Sequence, residues 1–136
     1  MSAVNTQILF IDSRVANVDA LLANVAPGVD VVLLNGAEHG LVQMAAALAG
    51  RTDVSAIHVI SHGGSAYMTI GSGTLDMAAL GTFADALATI KSSLTEGADV
   101  MLYGCAVAAE DAGRAFIDAL AVATGADVAA SMDVTG

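Results

Sequence analysis

The sequence predicts an α/β fold, a three-layer sandwich in which a mostly parallel sheet carries helices on both faces. Short, near-continuous apolar runs alternate with amphipathic stretches along the whole chain, the pattern of strands buried on both faces and joined by right-handed helical crossovers. Glycine or a Pro-Gly pair closes most of the amphipathic stretches, where a helix has to stop. Hydrophobic residues fill 56% of the 136 positions and charged residues 13%, which suits one core and a single domain over residues 1–136.

Taken in order, "QILFID" (7–12) is the first expected strand and "VDALLANVA" (18–26) the first helix, ended by Pro27-Gly28. "VDVVLLN" (29–35) is the second strand, and "GLVQMAAALAG" (40–50) a helix closed by Gly50. "VSAIHVIS" (54–61) is the third strand. Between Gly63 and Gly73 the alternation fails, and "AYMTIGSGTL" reads as a small β-hairpin outside the main sheet. A long helix is expected over 75–94, a strand over 98–104, a helix over 110–125 and a last strand over 126–132.

Net charge is −10, with only Arg14, Arg51, Lys91 and Arg114 basic. Such a surface repels phosphate backbones and anionic lipid, so nucleic acid is excluded as a partner. No apolar run reaches the roughly 18 residues that span a bilayer, so membrane insertion is excluded too. "MSAVNTQ" lacks the basic start and apolar stretch of a Sec signal peptide. Cys105 is the sole cysteine, so the chain has no internal disulfide and no cysteine-based zinc site. Metal ligation is not expected. Calcium is conceivable as a regulator on so acidic a chain, but no EF-hand spacing occurs.

Ligands of open parallel sheets gather beyond the carboxyl ends of the strands. That rim reads Asp12 after the first strand, Ser61-His62-Gly63-Gly64 after the third, Tyr103-Gly104-Cys105 after the fourth, and Ser131-Met132-Asp133 after the fifth. An imidazole and the lone thiol therefore end neighbouring strands. His62 suits the base that deprotonates Cys105. The backbone N–H groups of Gly63 or Gly64 and of Cys105 are the natural donors to an oxyanion, since glycine has no Cβ to block approach. His58 falls on the same face as His62 but deeper, as a core or supporting residue. His39, beside Glu38 in "NGAEHG", reads as a solvated turn. Ser61 and Ser65 lack the G-x-S-x-G elbow of a serine nucleophile, and "GSGTLD" lacks the lysine of a phosphate loop.

"SHGG" after one strand and "YGC" after the next resemble the His-Gly and Cys signatures of the caspase-like cysteine peptidases. "ILFIDSRVANVDALL", "IHVISHGG" and "MLYGCAVAAEDAGRAFIDALAVATGADVAASMDVTG" resemble, more closely, the bacterial DUF4347 domain, from about residue 7 to 136. The resemblance implies a caspase-like fold and a His62–Cys105 dyad. It also implies a setting within a very large secreted or surface protein, whose own polypeptide is the substrate in cis. No cofactor is required.

Asp12, Ser131 and Asp133 are expected to contact substrate. Carboxylates flanking the crevice, with Asp111 a few residues beyond Cys105, favour Arg or Lys before the cleaved bond. Arg14, placed where caspases recognise aspartate, points the other way. The competing reading is a non-catalytic folding or recognition module of a giant adhesin. A flavodoxin-like small-molecule binder is disfavoured because "DSRVAN" is not a Gly-rich phosphate turn.

Overall fold

The computed structural model describes residues 6–12, 29–61, 63–64, 67–103 and 110–130. Along the chain come β1 (Thr6–Asp12), β2 (Val29–Leu34), α1 (Gly40–Leu48) and β3 (Val54–Ile60). An antiparallel trio follows: β4 (Gly63–Gly64), β5 (Tyr67–Ile70) and β6 (Gly73–Asp76). The remainder is α2 (Met77–Thr82), α3 (Ala84–Ser93), β7 (Leu94–Tyr103), α4 (Glu110–Thr124) and β8 (Asp127–Ala130). The main sheet is parallel throughout, in the order β2-β1-β3-β7-β8. The expected mixed α/β architecture, with its parallel sheet and separate hairpin, is present.

Strand order explains where the helices lie. The connections β2→β3, β3→β7 and β7→β8 all cross the sheet in the same direction, so right-handed crossovers put α1, α3 and α4 on one face. Ile8, Phe10, Leu34, Ile57, Val59, Val100 and Leu102 project from that face into one apolar cluster with Leu41, Met44, Leu48, Leu87, Ile90, Phe116 and Leu120. The helices supply residues at helical spacing, Leu41, Met44 and Leu48 on α1 and Phe116 and Leu120 on α4. Leu9 and Ile11, alternating with Ile8 and Phe10, are buried on the opposite face. The helix expected at 18–26 lies outside the described residues.

Two elements differ from the sequence expectation. The helix expected over 75–94 starts later and is divided. β6 extends through Asp76, whose carboxylate accepts the Ala79 N–H at 2.9 Å and begins α2. Phe83, at φ −110° and ψ 35°, leaves helical geometry and separates α2 from α3. Strand β7 begins at Leu94, four residues ahead of the expected start at 98. Val54 pairs with Leu94 but Ala56 with Asp99, so β7 carries three surplus residues there, and Gly97 turns the excursion at φ +78°. From Ala56 onward the register is regular, ending with Ile60 opposite Tyr103.

A methyl group added at Gly40 would lie 2.5 Å from Ile70 Cβ, whereas nothing stands within 4 Å of one at Gly36. Gly40→Ala should therefore cost about 1–3 kcal/mol by overpacking, and Gly36→Ala close to nothing. Paired urea unfolding curves measure the difference.

Candidate functional site

The hairpin is fastened to the carboxyl rim by side chains from three elements. At the end of β1, the Asp12 carboxylate is 1% exposed and accepts the Gly71 N–H at 2.8 Å. After β3, the buried Ser61 hydroxyl donates to the Thr69 carbonyl. At the start of α1, His39 Nδ1 accepts the Leu41 N–H at 3.1 Å, so its proton is on Nε2 and donates to the Thr74 carbonyl at 2.9 Å. The His39 ring stacks on Phe83 with centroids 4.0 Å apart. Ser72 N–H donates to the Glu38 carbonyl at 2.8 Å, and His39 bridges to Gly71. His39 is thus no solvated turn but a helix cap and a hairpin tie. Its signal in the sequence was its place just ahead of an apolar helical run.

This docking decides which part of the rim the hairpin occupies. Strand order reverses between β1 and β3, the switch point where doubly wound sheets bind ligands. Asp12 and Ser61 stand at that point, and both bond to the hairpin. Asp12, expected to contact substrate, here holds the hairpin tip.

The adjoining ends of β3 and β7 are in register. Ile60 is opposite Tyr103, and the Ser61 N–H donates to the Tyr103 carbonyl at 3.2 Å. His62 follows Ser61 in sequence, and Cys105 follows Tyr103 by two residues. His62 and Cys105, with Arg14, Ser131 and Asp133, lie outside the described residues. Gly63 and Gly64 form β4, paired with Met68 and Tyr67. Asp111 is exposed in the first turn of α4.

On the sheet face away from α1, α3 and α4, His58 joins three strands. Its Nε2 is 2.9 Å from Gln7 Oε1 on β1, and its Nδ1 is 3.3 Å from the Tyr103 hydroxyl on β7. A neutral ring with its proton on Nε2 satisfies both, donating to the amide oxygen and accepting from the phenol. Burial lowers the His58 pKa below its ordinary 6.5, and the charge of Asp99 partly opposes this. His58, expected as a core or supporting residue, is a half-buried polar link separate from the apolar cluster. It lines a cavity of about 520 Å³ with Gln7, Glu96, Asp99, Met101 and Tyr103 among its walls.

A family profile described as "Domain of unknown function (DUF4347)" matches residues 8–136. The chain belongs to the DUF4347 family. No curated protein matches it. Among the described residues of this DUF4347 domain, no helix is long and apolar enough to cross a membrane, and no three His, Cys, Asp or Glu side chains converge to hold a metal ion.

Asp12→Ala should destabilise the DUF4347 domain by about 1–3 kcal/mol, because it takes the acceptor from a buried N–H. Asp12→Asn, which keeps an oxygen there, should cost less; urea unfolding together with amide exchange at Gly71 checks both. His58 adds a pH dependence whose sign is determined. Its folded pKa is depressed, so as pH falls below 6.5 the unfolded chain takes up the proton first and stability declines down to the folded pKa. Melting temperatures between pH 7.5 and 5 should fall less steeply in His58→Gln than in the parent chain.

Proposed function

We propose that this DUF4347 domain is a cysteine endopeptidase acting through His62 and Cys105. One observation carries the reading: β3 and β7 are adjacent and in register to their last residues, Ile60 opposite Tyr103, and the chain continues from those ends into His62 and Cys105. Parallel strands lie about 4.8 Å apart, within the span a thiol and an imidazole bridge when each follows a strand end closely.

In the proposed reaction His62 takes the Cys105 proton, and the thiolate adds to the scissile carbonyl. Backbone N–H groups at Gly63, Gly64 and Cys105 stabilise the oxyanion. The imidazolium then returns its proton to the leaving amine as the C–N bond breaks, leaving a thioester. His62 next activates a water that hydrolyses the thioester, which restores the thiol and releases the acid.

The substrate is polypeptide, in cis within a large secreted or surface protein, and cleavage follows a basic residue. That preference now draws on Asp133 and on the exposed Asp111, since Asp12 is buried against the hairpin. A second reading, a non-catalytic folding or recognition module of an adhesin, draws on that same packing. Two rim side chains that face ligand in doubly wound proteins are committed here to internal bonds.

Thiol chemistry separates the two. A working dyad gives Cys105 a depressed pKa and rapid iodoacetamide labelling near neutrality, slowed roughly tenfold or more by His62→Ala. Labelling at the rate of an unperturbed buried thiol, unchanged by His62→Ala, supports the module. The parent protein expressed beside its Cys105→Ala form should yield shortened fragments only with the thiol present; identical fragment patterns exclude self-processing.

A further inference from the structure

We infer that Asn35–Gly36 is a self-modification site, where the Asn35 side chain closes on the Gly36 nitrogen and the isoaspartyl product loosens the hairpin from the carboxyl rim. The inference is independent of the peptidase reading.

Asn35 and Gly36 directly follow β2, and both are exposed. Ring closure needs a free nucleophile, a polarised carbonyl and a free leaving group, and the loop supplies each. The nucleophile is the Gly36 nitrogen, whose N–H has no hydrogen-bond acceptor among the described residues. Glycine has no Cβ to obstruct the approach, and no atom lies within 4 Å of where one would stand. The electrophile is Asn35 Cγ. Its Oδ1 accepts the Ala37 N–H at 2.9 Å, so a donor already faces the oxygen that gains charge as the ring closes. The leaving nitrogen, Nδ2, has no partner among the described residues and takes its proton from water. Meanwhile the Asn35 main chain is held by Gln43 on α1. Its N–H donates to Gln43 Oε1 at 3.0 Å, and its carbonyl accepts from Gln43 Nε2 at 2.8 Å.

Solvent base takes the Gly36 amide proton, the N–Cγ bond forms, and the Cγ–Nδ2 bond breaks with loss of ammonia. Water then opens the succinimide on one of two sides. Attack at Cγ breaks the Cγ–N bond and gives ordinary aspartate, with the chain path unchanged. Attack at the main-chain carbonyl of residue 35 breaks its bond to the Gly36 nitrogen and gives isoaspartate. The main chain then runs through Cβ and Cγ, one carbon longer, and the former carbonyl becomes a free carboxylate.

That change falls on the loop that ties down the hairpin. Gln43 Nε2 spans the Asn35 carbonyl and the Glu38 carbonyl, the latter at 2.7 Å. The Glu38 carbonyl also accepts the Ser72 N–H at 2.8 Å, and His39 Nε2 donates to the Thr74 carbonyl at 2.9 Å. Packing there is close, since a Cβ added at Gly71 would overlap the Glu38 carbonyl. An extra main-chain carbon three residues ahead of Glu38 displaces both ties, whereas ordinary aspartate leaves them in place.

Ageing the whole folded chain in mildly alkaline buffer tests the site. Peptide mass spectrometry should show the amide-to-acid mass gain at residue 35, with isoaspartate detected by isoaspartyl methyltransferase. Asn24, which precedes Val25, should remain an amide. Gly36→Ala should slow conversion about tenfold or more, because its methyl group crowds the attacking nitrogen. The folded chain should convert at least as fast as the same chain in urea. Conversion no faster than that of Asn24, or slower in the fold than in urea, overturns the site, and both comparisons decide even if Gly36→Ala fails to fold.

Hydrogen exchange at the Gly71 and Ser72 amides reads the consequence. Protection in the chromatographically separated isoaspartyl form should fall about tenfold or more from that of the parent chain. Asn35→Asp, which keeps the chain path, should retain it. Equal protection in the isoaspartyl form and the parent overturns the loosening. Loss of the same size in Asn35→Asp overturns it too, because the added charge would then be the cause.

Discussion

Strand β3 has a parallel neighbour on each side, and most of the molecule is arranged by that constraint. A central parallel strand spends its backbone donors and acceptors on both flanks, so its register with β1 and with β7 is set together. Once Ile60 stands opposite both Ile11 and Tyr103, the ends of three strands finish level. The chemistry proposed for the rim depends on that levelness, because side chains just past the strand ends can meet only if the ends coincide. The polar link through His58 crosses the same three strands on the face away from the helices and supplements the sheet's hydrogen bonding with side chains.

The hairpin changes what a doubly wound sheet normally offers. Such sheets leave a cleft where strand order reverses, and small molecules enter it. Here the cleft at β1 and β3 receives the chain's own hairpin, tied by a carboxylate, a hydroxyl and an imidazole to three backbone groups. Each of these bonds is buried or partly buried, where an unpaired polar group costs more than a paired one gains. The arrangement therefore favours a single docked position over several loose ones.

Much of this was legible in the sequence. "QILFID", "VDVVLLN" and "VSAIHVIS" read as strands because apolar and β-branched residues run without a break, and Gly-rich "AYMTIGSGTL" read as a hairpin because that pattern stops. The division of the 75–94 helix was obscured by an apolar pattern that continues through Leu75, Leu80 and Phe83, although Asp76 was an available capping signal. The early start of β7 was hidden in "LTEGAD", whose polar residues leave the ladder before rejoining it. At the site, the placement of Asp12, Ser61 and Tyr103 followed from strand ends alone. The internal bonds of Asp12, Ser61 and His39 did not, since their partners lie 59, 8 and 35 residues away and only the folded backbone brings them close.

The excursion at the start of β7 has a practical side. Three residues leave the ladder and Gly97 turns them back, while pairing from Asp99 to Tyr103 continues undisturbed. Length variation at Glu96 and Gly97 is thus absorbed before it can slide the far end of the strand. For anyone building a reporter version of this domain, that loop is the natural entry port for a dye or an affinity handle, at the end of the strand remote from Tyr103.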